Sequence, residues 1–94
     1  MRCEAKGSYT NIHFKDGTNH VTSKTLKEYE MALGDNHFFR VHNSHLINLS
    51  EVKKYLKSDG GFVEMKDGSE IPVSQSHKDG FLETMKNFSV NSGN

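Results

Sequence analysis

Two segments of this chain repeat the same order of local signals. "IHFKDGTNHVTSKTLKEY", from Ile12, and "VEMKDGSEIPVSQSHKD", from Val63, each read as strand, Lys-Asp-Gly, strand, then a Ser/Thr-rich helix start. Asp16-Gly17 and Asp67-Gly68 stand between alternating apolar and polar residues. A two-residue turn of that kind needs positive φ, which Gly and Asp tolerate, so each dipeptide predicts a tight hairpin. A chain that commits two of its segments to hairpins is built around antiparallel sheet.

Helices follow each hairpin. Thr25 with Glu28 three residues on forms a capping box, Leu26, Tyr29 and Leu33 lie on one face, and Gly34 suits a C-terminal cap, so residues 25 to 33 are predicted helical. After the second hairpin, Ser74 or Ser76 caps a helix with Phe81, Leu82, Met85 and Phe88 on its apolar stripe. Gly80 within it costs about 1 kcal/mol relative to Ala. Between the helices, Phe38 to Val41, Leu46 to Asn48, Val52 to Leu56 and Phe62 to Met65 read as strands, with a turn over Ser58 to Gly61. The fold class expected is mostly β with two short α-helices.

At 94 residues the chain is one domain, with a core expected from about residue 3 to 88 and a frayed tail over 89–94. The apolar share of 33% is low, but it falls in periodic segments with short polar gaps, which is the pattern of a small globular domain rather than of disorder. Lys and Arg number 12 against 12 Asp and Glu, so net charge gives no argument for nucleic acid, and only the placement of cations can. Cys3 is the one cysteine and has no internal disulfide partner. With no apolar run near ~18 residues and nothing like a signal peptide, the expected compartment is the cytoplasm, without membrane contact.

"FFRVHNSHLINL", residues 38 to 49, is the stretch a core alone does not explain, because Arg40, His42, Asn43, Ser44, His45 and Asn48 crowd into it. "HNSH" falls between two strand candidates, anchored by Phe39, Val41, Leu46 and Leu49. Two readings fit. Asn43 and Ser44 either make an Asx or Ser turn that bonds its own backbone, or they project from a loop on a packed scaffold toward a ligand.

A resemblance bears on that choice. "FFRVHNSHLINLSEV", then a hairpin and "DGSEIPVSQSHKDGFL", resembles the signature of the LytTR family of DNA-binding domains, output modules of bacterial response regulators; "CEAKGSYTNIHFKDG" and "VTSKTLKEYEMAL" are similar to the family's opening strands and first helix. The resemblance runs from about Cys3 to Met85. It implies small β-sheets with short helices, loops that enter successive major grooves of double-stranded DNA, and pairing of two copies on promoter direct repeats. It also implies an N-terminal receiver domain in the full-length protein.

By position, the resemblance places the DNA-facing residues at Tyr9, Thr10 and Asn11, at His42, Asn43 and Ser44, and at Gln75 and Ser76. Asn43, Gln75 and Tyr9 are the expected base contacts, since an Asn or Gln amide can pair with adenine N6 and N7. Thr10, Asn11, Arg40, His42, Ser44, Ser76 and Lys78 are the expected contacts to the DNA backbone. Where relatives commonly carry Arg, this chain has Asn43 in the central segment and Gln75 with Ser76 at the start of the last helix.

Other chemistries find less support. His37, His42 and His45 match no strong metal-ligand spacing, and Cys3 stands alone, so no metal or cofactor is expected. Ser44 between His42 and His45 is proximity in sequence without an orienting acid, so no catalytic residue is assigned. The rival reading is a small β-rich protein-interaction module that binds along a strand edge, a role that zero net charge suits.

Overall fold

The structure is a computed structural model that describes residues 1–34 and 37–92, with side chains described there except at positions 59 and 89–92. Strands β1 (Arg2–Lys6), β2 (Tyr9–His13) and β3 (Asn19–Thr22) precede helix α1 (Leu26–Leu33). Then come β4 (Phe38–His42), β5 (His45–Asn48), β6 (Val52–Leu56), β7 (Phe62–Met65) and β8 (Glu70–Pro72), and finally helix α2 (Gln75–Ser92). Single 3-10 turns at Leu49–Glu51 and Ser58–Gly60 connect the later strands. The strands form two antiparallel sheets, one ordered β3-β2-β1-β5-β4 and one ordered β6-β7-β8.

The mostly β expectation holds, and so do the hairpins, but their turns are longer than two residues. In the first, the Phe14 N–H donates to the Thr18 carbonyl at 2.9 Å and the Gly17 N–H to the Phe14 carbonyl at 3.1 Å; in the second, Met65 bonds Ser69 and Gly68 bonds Met65 at 2.8 and 2.9 Å. Three residues are thus enclosed each time, a tight turn followed by a glycine bulge. The positive φ falls on the glycines, 90° at Gly17 and 91° at Gly68. The aspartates instead bind the turn from their side chains, Asp16 Oδ1 accepting from the Thr18 N–H and Asp67 Oδ1 from the Ser69 N–H. The Thr18 hydroxyl, which also donates to Asp16 Oδ1 at 2.6 Å, and the two N–H bonds favour the ionised carboxylates and pull both pKa values below the ordinary 3.8.

Helix α1 starts as its sequence predicts, with the Thr25 hydroxyl accepting from the Glu28 N–H at 3.2 Å, and it ends at Gly34, where φ is 72°. Helix α2 is 18 residues long, longer than expected, and carries on through 89–92, where a frayed tail was expected; residues 93–94 lie outside the described residues.

Two cores flank the larger sheet. Cys3, Ile12 and Leu46 face α1 and pack with Leu26, while Val41, Ile47, Val63, Ile71 and Phe81 fill the space between the two sheets and α2. Leu46 and Ile47 are neighbours in β5 that point to opposite faces, and both are fully buried. That part of the sheet is covered on both sides, which explains the unbroken apolar pair in the sequence. Phe81 lies at the centre of the second core with no exposed surface, so truncation to Ala is expected to cost about 3 to 5 kcal/mol. Gly80 next to it lets α2 approach β4, because a Cβ there would lie 3.3 Å from the Phe39 ring. Close approach offsets the lost helix propensity.

Candidate nucleic-acid interface

The hairpin register brings the three sequence-predicted segments to one end of the large sheet. Lys6 pairs with Tyr9 across the Gly7-Ser8 turn, where Gly7 takes φ 58°. The Ala5 N–H donates to the Ser44 carbonyl at 2.8 Å, which sets the β1–β2 turn beside the β4–β5 turn. On the other side, the Ser74 N–H donates to the Val41 carbonyl at 2.8 Å and fixes the start of α2 against the end of β4. Two main-chain bonds thus hold Tyr9, Asn43 and Gln75 along a common edge.

The middle segment is shaped by an irregularity. Arg40 pairs with Leu46 but His42 pairs with His45, so Val41 and His42 together oppose one residue. A bulge of this kind bends the strand and re-aims the residues beyond it. There, His42 Nδ1 accepts the Ser44 N–H at 3.0 Å, so this ring nitrogen is unprotonated and the turn bonds its own backbone. The two readings of "HNSH" are therefore compatible: the turn is self-bonded, yet the Asn43 side chain is exposed and bonds nothing among the described residues.

At the other two segments the residues separate by strand alternation. Tyr9 is 56% exposed, whereas Thr10 is 1% exposed and its hydroxyl donates to the Lys24 carbonyl at 2.7 Å. Thr10 is a correction to the expected set: its side chain faces the core and cannot reach a phosphate. Asn11 is half-buried, and its side-chain oxygen has no partner among the described residues. Gln75 and Ser76 are exposed on the first turn of α2, which the Ser74 hydroxyl steadies by a 2.5 Å contact with His77 Nδ1. Lys78 is half-buried on the next turn.

The cations are distributed differently from expectation. The guanidinium of Arg40 is turned inward to Glu30 at 2.9 Å, and Lys53 and Lys54 both lean toward Glu64 at 3.7 Å on the smaller sheet. Two lysines outside the expected set stand at the edge instead. Lys6 ends β1, and Lys24 follows β3, which also ends here because Thr22 pairs with Thr10. Both are exposed and have no carboxylate partner among the described residues. Their position was contained in the hairpin register, since Lys6 directly precedes the Gly7-Ser8 turn.

His45 sits behind the middle turn, its ring 5.4 Å from that of His42. Burial pushes its pKa below the ordinary 6.5, against the opposing pull of the Glu4 carboxylate. No three His, Cys, Asp or Glu side chains among the described residues come together to hold a metal ion. Nor is any helix there long and apolar enough to cross a membrane.

Comparison with known proteins identifies relatives of the chain. The chain is 37% identical over 62 residues to the sensory transduction protein LytT of Bacillus subtilis, a match covering 63% of this chain and 25% of that protein. It is 30% identical over 79 residues to the heme-containing CO-sensing transcriptional regulator RcoM 2 of Paraburkholderia xenovorans, covering 81% of this chain and 29% of that protein. The chain thus spans well under half the length of these relatives. A LytTr DNA-binding domain from Bacillus cereus superposes with a TM-score of 0.83 at 26% identity, over 90% of this chain and 79% of that one. The sequence pattern of the LytTr DNA-binding domain matches residues 1–86, and the chain belongs to that family.

Proposed function

We propose that this domain binds double-stranded DNA sequence-specifically and serves as the output domain of a cytoplasmic transcriptional response regulator. The observation that carries the reading is the convergence of Tyr9, Asn43 and Gln75, all exposed, on one edge that three segments far apart in sequence build together. Asn43 and Gln75 offer amides to base edges in the major groove, with Tyr9 beside them. Ser44 and Ser76 offer hydroxyls, and Lys6, Lys24 and Lys78 offer charge, to the flanking phosphates. His42 and Asn11 serve the same surface, His42 by shaping the turn.

Two copies side by side on promoter direct repeats, with a receiver domain ahead of each output domain, complete the proposal. The names of the relatives place similar domains in a sensory transduction protein and a CO-sensing transcriptional regulator.

Fluorescence anisotropy with labelled duplexes that contain direct repeats, at several salt concentrations, tests it. Log affinity is expected to fall linearly with log salt, by roughly 0.9 per phosphate neutralised. With so few unpaired cations at the edge, the slope should correspond to a few contacts per domain. Binding that ignores salt, or no binding at low salt, overturns the reading.

A further inference from the structure

Arg40 stands at the DNA-facing end, yet each nitrogen of its guanidinium already donates to a partner within the domain. Nε donates to the His42 carbonyl at 3.1 Å and Nη2 to the Asn43 carbonyl at 2.6 Å, while Nη1 meets Glu30 Oε1 at 2.9 Å. Only 22% of the side chain is exposed. The planar fork of an Arg holds its donors in fixed directions, so one group that bonds two successive carbonyls fixes their relative orientation. Those carbonyls belong to His42, the second residue of the bulge, and to Asn43 just after it, where the ladder is interrupted. Glu30, on α1, holds the third corner.

We infer that Arg40 and Glu30 form a clamp that presets the Asn43 turn for base reading, with Arg40 a positioning residue and not a phosphate ligand. The inference rests on the DNA-binding reading above. The Asn43 amide bonds nothing among the described residues, so the backbone of the turn sets the position and direction from which it projects. A bidentate amide–adenine contact tolerates little angular error, and binding groups held loosely lose discrimination before they lose fold.

Variants at both corners separate the two roles. The clamp requires the guanidinium, so Arg40→Lys should lose discrimination at the base read by Asn43 by about tenfold, as Arg40→Met does. The slope of log affinity against log salt should stay as in the wild type for Arg40→Lys and change little for Arg40→Met. Glu30→Ala should also lower discrimination, although removal of an acid near DNA tightens binding to every sequence alike.

A phosphate-ligand role predicts the opposite pattern. Arg40→Lys would then bind like wild type, Arg40→Met would lower the slope by roughly 0.9 with base preference intact, and Glu30→Ala would leave discrimination unchanged. Any of these results overturns the clamp.

Amide hydrogen exchange at Ser44, whose N–H donates to His42 Nδ1, gives a readout without DNA. Faster exchange at this position in Arg40→Lys, with the core still protected, supports the clamp, and unchanged exchange there overturns it. If the wild type shows no base preference, the DNA-binding reading has failed, and the exchange experiment still decides the clamp.

Discussion

Val41 and Ser74 are joined main chain to main chain, the Ser74 N–H donating to the Val41 carbonyl at 2.8 Å. Val41 occupies the irregular position of β4, and Ser74 immediately precedes α2. One bond therefore couples the segment that presents Asn43 to the segment that presents Gln75. The Val41 side chain points the other way, into the core between the sheets, with no exposed surface. The candidate edge and the core meet at a single residue.

Val41→Asp should therefore abolish the cooperative unfolding transition. An unpaired carboxylate buried there costs several kcal/mol, comparable with the ~5 to 15 kcal/mol that holds a domain together. Circular dichroism during a thermal scan checks it; a transition close to that of the wild type would place Val41 at the surface and contradict the fold.

Asn43→Ala should do the reverse. The side chain is exposed and bonds nothing among the described residues, so the melting temperature should hold while discrimination at one base position drops by about 1 to 3 kcal/mol. Site selection from a random duplex pool reads this directly. An equal loss of affinity on every sequence would make Asn43 a backbone contact.

Acid should weaken the fold through His45. Its folded pKa lies below 6.5 because burial disfavours the imidazolium. The unfolded chain thus binds more protons there than the folded one, and stability rises with pH in that interval. The contribution is full above 6.5 and declines as pH falls from there toward the folded value. Urea melts between pH 5 and 8 should show a gentler acid decline for His45→Gln than for the wild type; parallel curves would remove His45 as the cause.

Cys3 lies in the first core, and burial pushes its thiol pKa up to about 11. Thiolate is the reactive form, so a disulfide reagent at neutral pH should label it only when the domain opens. The labelling rate should follow the denaturant dependence of unfolding. Rapid labelling of the folded protein would mean that β1 is detached from the sheet.

Much of the fold was legible in local sequence. Thr25, Glu28 and Gly34 bound α1, and alternation marked β4 to β7, because caps and periodicity act over a few residues. The candidate edge was legible only as separate segments, and the relation between them depends on pairings such as Ala5 with Ser44 that span the chain. Thr10 was misread for the same reason, and the inward pairing of Arg40 was missed. Position near the edge was visible in the sequence, but direction was not: alternation turned Thr10 into the core, and Glu30, ten residues away, drew Arg40 inward. Lys24 emerged only once β3 was paired with β2.

Gln75 opens α2 with its side chain exposed. If its amide pairs with adenine in a major groove, Gln75→Arg should exchange that contact for one suited to guanine O6 and N7 and add a positive charge. Affinity should rise, and the preferred base at one position should move from A toward G. The salt slope should steepen by about one contact's worth, roughly 0.9, only if the guanidinium also neutralises a phosphate. A Gln75 that faces solvent gives a different result, because the added charge then yields a small gain on every sequence without a change of preference. Selection from a random pool with both proteins, followed by anisotropy on the winning duplexes at several salt concentrations, distinguishes the outcomes. Identical selected sequences would take Gln75 out of the base-reading set and leave recognition to Asn43 and Tyr9.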